Sequence, residues 1–193
     1  DIIENKMIDR SVESIRLVFL ARVHPMKGVD VVFKVAKRIR LEGLDDVIVD
    51  IYGPIQKDYE DEFKGKLSAY KDVVCYRGVI QPDEIHQTLL SYDLMLFPTR
   101  FYTEGFPGSI LDAYNAGVPV VVSSWKYAEE FVEHNLSGLI CMFGNDDDFV
   151  LTVLNLLNDK PLMESLKLGA KEYSDKYSSE VAWRTFSSLI PKD

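Results

Sequence analysis

The order of the apolar segments is the feature that most constrains what this chain can fold into. Six short runs rich in Val, Ile, Leu and Phe each precede a longer segment whose apolar residues recur at helical spacing. Runs that are apolar throughout are typical of strands buried on both faces, and strict alternation with helices is typical of a parallel sheet. The sequence therefore predicts an α/β fold, a Rossmann-like parallel six-stranded sheet with helices on both faces.

Strands and helices are predicted to alternate over nearly the whole chain. The predicted strands are 15–21, 46–53, 72–78, 93–99, 118–124 and 137–143. The predicted helices are 28–43, 58–71, 81–92, 109–117, 126–135, 147–158, 161–176 and 179–190. Residues 1–14 are polar and aperiodic, and we interpret them as a linker that precedes a single domain, residues 15–193.

Charge and composition exclude some classes of function. The net charge is −9 and the isoelectric point is about 4.9, which argues against a general nucleic-acid surface, since such a surface is basic. No apolar run is long enough to span a bilayer and no signal peptide is visible, so we expect a cytoplasmic protein.

Cys75 and Cys141 lie in strand-like runs and are predicted to be buried thiols. The chain begins at Asp1, and we expect it to be a fragment of a longer protein or a trimmed one.

The first strand is followed by a loop with two cations. In a parallel sheet, ligands bind beyond the carboxyl ends of the strands, here the loops 21–28, 53–56, 78–82 and 98–109. The first of them, "ARVHPMKG", lacks the G-x-G-x-x-G pattern, which argues against a dehydrogenase. It carries Arg22 and Lys27 ahead of a helix N-terminus, a combination suited to a diphosphate. The alternative is a pair of solvated loop cations.

The fourth loop places two acids around a glycine-rich turn. Glu104 precedes "GFPG", whose glycines let the backbone approach a ligand, and the N–H groups of residues 105–109 could face an anion or a sugar hydroxyl. Ser109 and Asp112 fit a capping box, in which Ser caps the helix and the acid bonds back. Asp112 is therefore either a ligand-binding residue or a helix-capping residue, or both.

Several motifs together resemble a known family. The segments "LARVHPMKGVD", "YRGVIQPDEIHQTLLSYDLMLFPT", "EGFPGSILDAYNAGVPVVVSS" and "EFVEHNLSGLI" come in the order found in the C-terminal domain of retaining GT-B glycosyltransferases of the group 1 or family 4 type. The resemblance covers roughly residues 16–190, and "SSWKYAEEFV" resembles the bacterial surface-polysaccharide branch. Two positions depart from the family pattern. Ala21 stands where Gly is frequent, and the family's E-x7-E motif appears as Glu104-x7-Asp112.

The resemblance implies a role for each motif residue. The residues that would act in catalysis bind the donor diphosphate or the hydroxyls of the donor sugar: Arg22 and Lys27 for the diphosphate, Glu104 for the sugar. The remaining donor-binding residues are expected to be Phe106, Gly108 and Ser109 through backbone N–H groups, Asp112 through the ribose, and Val79 and Gly53 at the ends of the third and second strands. As the glycosidic bond breaks, fixed cations stabilise the charge on the leaving phosphate.

No divalent metal and no cofactor are expected, since the cations serve the phosphates and "NDDDF" (145–149) is interpreted as a helix cap, with solvated acids as the alternative. Trp125 and Tyr127 are interpreted either as walls of the donor pocket or as packing residues at a helix start. His24 either approaches a phosphate or is exposed on its loop.

The resemblance also implies a larger protein. A retaining transfer needs an N-terminal acceptor domain, which is absent from this sequence, so residues 1–14 become an interdomain linker and the chain alone is expected to bind a nucleotide sugar without transferring it. Peripheral contact with the inner face of a membrane is expected only through the missing domain.

The last helix either packs on that domain or completes the core of this one. Competing functions are a sugar-nucleotide epimerase or a phosphorylase of the same fold, and a non-catalytic nucleotide-binding domain.

Overall fold

The computed structural model describes residues 14–189, so most of the predicted linker, residues 1–13, lies outside it. The strands within this range are β1 (Ile15–Leu20), β2 (Val47–Tyr52), β3 (Val74–Gly78), β4 (Leu94–Phe97), β5 (Val120–Ser123) and β6 (Gly138–Cys141). They form one sheet in the order β3-β2-β1-β4-β5-β6, and every neighbouring pair is parallel. The predicted α/β, Rossmann-like architecture is confirmed.

The helices follow the predicted order. They are α1 (Val29–Leu41), α2 (Glu60–Ala69), α3 (Ile85–Leu89), α4 (Gly108–Asn115), α5 (Ala128–Phe131), α6 (Asp146–Leu157), α7 (Lys160–Ser174) and α8 (Ser179–Leu189). Two of them, α3 and α5, are less than half as long as predicted. A 3₁₀ turn, Pro82–Glu84, occupies the beginning of the predicted third helix, and α5 ends because Val132 is extended and His134 pairs with Gly138 of β6.

The two faces of the sheet carry separate apolar cores. Leu17 and Phe19 of β1 belong to the core that includes residues of α1, α2 and α6. Val18, between them in sequence, belongs to the other core, with residues of α4 and α7. Alternate residues of a strand face opposite sides of the sheet, so one strand contributes to both cores. This explains why the strands are apolar throughout.

One buried charge interrupts the second core. Asp50 of β2 is fully buried and accepts hydrogen bonds from Arg16 Nη2 at 2.6 Å, Tyr92 Oη at 2.7 Å and Arg77 Nε at 2.8 Å. A buried carboxylate is stable only when its oxygens are paired in this way. Tyr92 lies beside this carboxylate, and burial together with the Asp50 charge raises the pKa of its phenol.

The cysteines differ in burial. Cys141 is buried and Cys75 is only half-buried, and both are free thiols. Burial raises the pKa of Cys141 to about 11 and also raises the pKa of Cys75. The prediction of two buried thiols is therefore wrong for Cys75, which lies on β3, one of the two edge strands of the sheet.

Three large apolar side chains of the last helix lie outside the core of this domain. Trp183, Phe186 and Leu189 of α8 are 67%, 57% and 77% exposed. The alternative in which α8 fills the core of its own domain is therefore wrong for these three side chains. Nowhere in residues 14–189 is a helix long and apolar enough to cross a membrane.

The sheet order brings the loops after β1 and β4 together. Because β1 lies between β2 and β4, the strand order reverses there, which makes this edge the topological switch point at which α/β sheets bind ligands. Gly28 has φ +82°, and a Cβ on it would lie 1.8 Å from Pro98 O. Gly53 has φ +134°, and a Cβ there would lie 1.9 Å from Ala21 O. Only glycine permits these close contacts between neighbouring loops.

Candidate functional site

The centre of the candidate site is an ion pair between two predicted catalytic residues. Lys27 Nζ lies 2.6 Å from Glu104 Oε2, although the two residues are 77 positions apart in sequence. Their side chains are 25% and 15% exposed. The hydroxyl of Thr99, a buried residue, donates to the same Glu104 oxygen at 3.0 Å. The structure thus brings together the acid and the base that the sequence placed on different loops.

Lys27 is presented by a short, internally bonded turn. Residues Pro25–Lys27 form one turn of 3₁₀ helix. His24 Nδ1 accepts from Met26 N at 3.2 Å, and Lys27 N donates to His24 O at 2.9 Å. His24 therefore caps the turn, and it is half-buried rather than exposed on its loop, which was one of its two predicted placements. The Lys27 ammonium also lies 5.0 Å from the centre of the Phe101 ring, a distance that permits a cation–π contact.

Arg22 offers a second cation at the same edge. It lies two residues after the end of β1, and its side chain is exposed. Its guanidinium forms no ion pair or side-chain hydrogen bond with any residue from 14 to 189. A cation without an internal partner at the ligand-binding edge is available to an external anion.

The loop after Glu104 presents backbone donors. Its N–H groups are free at three positions: within residues 14–189, those of Phe106, Gly108 and Ser109 donate no hydrogen bond. The first N–H groups of a helix point along its axis and carry partial positive charge, and α4 begins at Gly108. These donors follow β4 and the two cations follow β1, so the same edge of the sheet offers both cations and free backbone donors.

The predicted capping box is not formed. The helix begins earlier than predicted, and the N-cap is Pro107, with φ −83° and ψ 93°. Ser109 therefore lies inside the first turn and makes no capping hydrogen bond. Proline has no side-chain acceptor for the helix N–H groups, and this leaves the donors described above open.

Asp112 is a half-buried carboxylate on α4. Its side chain makes no hydrogen bond and no ion pair within residues 14–189. Burial raises its pKa, and the charge of His86 opposes that shift. Since no capping hydrogen bond is formed, the helix-capping interpretation of Asp112 is wrong, and the carboxylate keeps free acceptor capacity toward a ligand.

Three further residues that were predicted to bind the nucleotide-sugar donor differ in exposure and in contacts. Val79 is 60% exposed and follows Gly78 at the end of β3. Gly53 bonds within the protein, since its N–H donates to Gly78 O at 2.8 Å and its carbonyl accepts from Tyr76 Oη at 2.9 Å. Gly53 thus holds two loops close together. The ring of Phe106 is 63% exposed and lies 5.2 Å from that of Phe131.

Trp125 belongs to the core rather than to an open pocket wall. It is buried, and its ring lies 5.4 Å from that of Phe97 and 6.3 Å from that of Phe131. The packing interpretation is therefore correct for Trp125. Its indole N–H has no hydrogen-bond partner among residues 14–189. Tyr127 is half-buried, with Lys126 Nζ 4.8 Å from its ring centre.

The acidic segment "NDDDF" caps a helix, as predicted. Asn145 is the N-cap of α6 and accepts from Asp148 N at 3.0 Å, and Asp148 in turn accepts from Met142 N at 2.7 Å. Asp146 is not a solvated acid, because it pairs with Lys34 and Arg100, both at 2.8 Å. Over residues 14–189, no group of three or more His, Cys, Asp and Glu side chains is arranged to hold a metal ion.

Thr99 and Arg100 contribute to the site but were not among the predicted site residues. Thr99 holds Glu104, and Arg100 bonds to the turn that carries Lys27. One signal was available. Both residues directly follow Pro98 at the carboxyl end of a predicted strand, inside a loop already selected as a candidate.

Comparisons with known proteins give matches over most of the chain. A family model described as "Glycosyl transferases group 1" matches residues 4–173. The amylovoran biosynthesis glycosyltransferase AmsK of Erwinia amylovora is 24% identical over 97% of this chain and 47% of that protein. The chain thus spans about half the length of the curated relatives it matches.

Solved structures share the fold. HepE of Anabaena, in complex with UDP, is 19% identical with a TM-score of 0.77, over 92% of this chain and 50% of that one. The C-terminal domain of a group 1 glycosyl transferase (LpcC) from Francisella tularensis is 16% identical with a TM-score of 0.74, over 86% of this chain and 87% of that one.

Proposed function

This chain belongs to the group 1 family of glycosyl transferases, and from that premise we propose that it is the donor-binding half of a retaining GT-B enzyme. The enzyme transfers a sugar from a nucleotide diphosphate sugar to an acceptor, in the synthesis of a polysaccharide or glycoconjugate. The observation that carries this proposal is the Lys27–Glu104 pair, 2.6 Å long, at the carboxyl edge of the sheet. It places a cation for phosphate next to an acceptor for sugar hydroxyls.

The charges of the edge match a diphosphate. Arg22, Lys27 and the N-terminus of α4 together supply two full positive charges and one partial one. When the bond between sugar and phosphate breaks, negative charge grows on the leaving phosphate, and these groups stabilise it more in the transition state than in the bound donor. Because the cations supply this stabilisation, we propose a metal-independent transfer.

In the absence of a donor, Lys27 and Glu104 bind each other. A bound donor would replace Glu104 as the partner of Lys27 and Lys27 as the partner of Glu104. A diphosphate oxygen would accept from Lys27, and hydroxyls of the donor sugar would donate to Glu104. The complete donor therefore compensates both charges after the pair separates. A nucleotide diphosphate without its sugar compensates only Lys27, so the partly buried Glu104 loses its cation and gains nothing.

The nucleoside would lie beyond the diphosphate. Asp112 has acceptor capacity that no residue from 14 to 189 uses, and the two hydroxyls of a ribose are donors of the required kind. Val79, exposed at the end of β3, would border the base beside Gly53. HepE, which shares this fold, is recorded in complex with UDP, and this supports a nucleotide ligand.

The acceptor would be bound by the rest of the protein. The chain spans about half the length of its relatives, and we propose that an N-terminal domain of the same protein completes the cleft. On this proposal, the chain alone binds the donor but does not transfer its sugar. Clear glycosylation of an acceptor by the isolated chain would contradict it, and product analysis with the full-length protein would separate a transferase from an epimerase or phosphorylase.

Calorimetry on the 193-residue chain tests the site directly. UDP, GDP, ADP and their sugars are titrated into the wild type and into Lys27→Ala. A charge-assisted hydrogen bond is worth about 1.5–3 kcal/mol, so the variant should bind a nucleotide diphosphate roughly ten- to hundredfold more weakly. Lys64→Ala is the matched control, because Lys64 forms a 2.6 Å pair with Glu60 on the surface of α2. Equal affinities of Lys27→Ala and the wild type would remove Lys27 from the site.

A further inference from the structure

Arg100 connects three loops at the carboxyl edge of the sheet. Its backbone N–H donates to Met26 O at 2.9 Å, and its Nη1 donates to Pro25 O at 3.0 Å. Its Nη2 donates to Asp146 Oδ2, at the start of α6, at 2.8 Å. Two of these three bonds end on the carbonyls of the two residues that precede Lys27. Arg100 therefore holds this turn from outside through both its backbone and its side chain, in addition to the contacts that Lys27 makes with Glu104 and Phe101.

The charge of Arg100 is compensated within the protein. Its guanidinium lies between Asp146 and Asp30, whose Oδ2 is 3.4 Å from Nη1. The ion pairs continue from Asp30 to Lys66 on α2 and from Asp146 to Lys34 on α1. A guanidinium placed between two carboxylates is poorly suited to bind a phosphate as well. Its contacts suit it to hold loops in place.

We propose that Arg100 is a positioning residue, which fixes the Pro25–Lys27 turn relative to Glu104 and so sets the affinity of the site for a nucleotide diphosphate. The identity of this ligand rests on the proposed function. Arg100 holds the turn, and its neighbour Thr99 holds Glu104, so one short segment places both members of the central pair. Without the guanidinium, Pro25 O keeps only the N–H of Gly28 as a donor, and Asp30 and Asp146 lose the cation that lies between them. A shift of the turn moves the Lys27 ammonium away from the phosphate position.

A double-mutant cycle separates positioning from general stability. Arg100→Ala should weaken binding of UDP, GDP or ADP about tenfold in the wild-type background and about twofold at most in the Lys27→Ala background, because its effect passes through Lys27. Lys34→Ala is the control. It removes an ion pair from the same Asp146 but leaves the turn untouched, and it should keep the wild-type affinity. An equal loss in both backgrounds would overturn the inference.

A second measurement does not depend on any ligand. Lys27 N–H donates to His24 O and Gly28 N–H donates to Pro25 O, both at 2.9 Å. Arg100→Ala should speed hydrogen exchange at these two amides about tenfold, whereas Lys34→Ala should not. If the wild type binds no nucleotide diphosphate, the proposed function fails and this exchange alone decides the inference; unchanged exchange overturns it. Arg100→Lys, which keeps the charge but cannot bridge Pro25 O and Asp146, replaces the alanine variant if that variant does not fold.

Discussion

Glu104→Gln should make the site bind a bare nucleotide diphosphate more tightly and a nucleotide sugar no better. In the wild type, a diphosphate must draw Lys27 away from Glu104, from which it is separated by 2.6 Å. The amide keeps the size of the side chain and removes its charge, so Lys27 is released to the phosphate without leaving a carboxylate unpaired. The same amide is a poorer acceptor for sugar hydroxyls, so the sugar no longer adds affinity.

The free energy needed to separate Lys27 from Glu104 can be estimated from the exposure of their side chains. Exposed ion pairs are worth about 0–1 kcal/mol, and removing one partner of a fully buried pair costs about 3–5 kcal/mol. Side chains that are 25% and 15% exposed lie between these limits, and we take about 1–2 kcal/mol as the cost of separating the pair. That cost corresponds to roughly a five- to thirtyfold change in affinity.

Calorimetry with a nucleotide diphosphate and its sugar, at constant ionic strength, measures both parts of the prediction. Glu104→Gln should raise the affinity for the nucleotide five- to thirtyfold, by the estimate above, and bring the affinities for nucleotide and nucleotide sugar together. Glu60→Gln, which removes the charge of the surface pair with Lys64, should change neither. The reasoning is refuted if Glu104→Gln weakens nucleotide binding, or if it leaves the preference for the sugar intact.

Two further predictions concern stability, and urea unfolding measures both. Gly28→Ala should destabilise the domain by about 1–3 kcal/mol or more, because the added Cβ would lie 1.8 Å from a backbone oxygen at a φ of +82°. Gly65→Ala, inside α2 with nothing within 4 Å of the added atom, should stabilise it by about 0.5–1 kcal/mol, and the same sign for both would contradict the argument. Asp50→Asn should cost about 3 kcal/mol by leaving two guanidiniums without their buried partner. Asp72→Asn, whose side chain is 55% exposed beside Arg40, should cost less than about 1 kcal/mol, so similar losses would argue against a special role for burial at Asp50.

Most of the fold could be predicted from the sequence because it depends on local patterns. Apolar runs mark the strands and helical spacing marks the helices, and each element lies where it was predicted. The exceptions are ends decided by contacts outside the element. The predicted helix 126–135 ends at Phe131, because Val132 is extended and His134 pairs with Gly138 of β6. The local capping pattern at Ser109 likewise gave way to a helix start at Pro107.

The site could be predicted only in part, for a related reason. The loops were identified from their positions after strands, but the contacts between them depend on β1 lying next to β4, and no local pattern encodes that order. The direct pairing of Lys27 with Glu104 was therefore not predicted, nor were the roles of Thr99 and Arg100. Asp50 was missed because one acid in an apolar strand gives no sign of the arginines that reach it from neighbouring strands.

The separation of Lys27 and Glu104 along the chain links the site to the folding of the whole sheet. The two residues are 77 positions apart and meet only when β1 and β4 are paired, so a partly folded chain has no site. A ligand that binds only the folded form stabilises it by mass action, by about 2.7 kcal/mol at a hundred times its dissociation constant. If the proposed function is correct, the cellular supply of nucleotide sugar would protect the newly made domain, and starvation for the donor would shorten its lifetime.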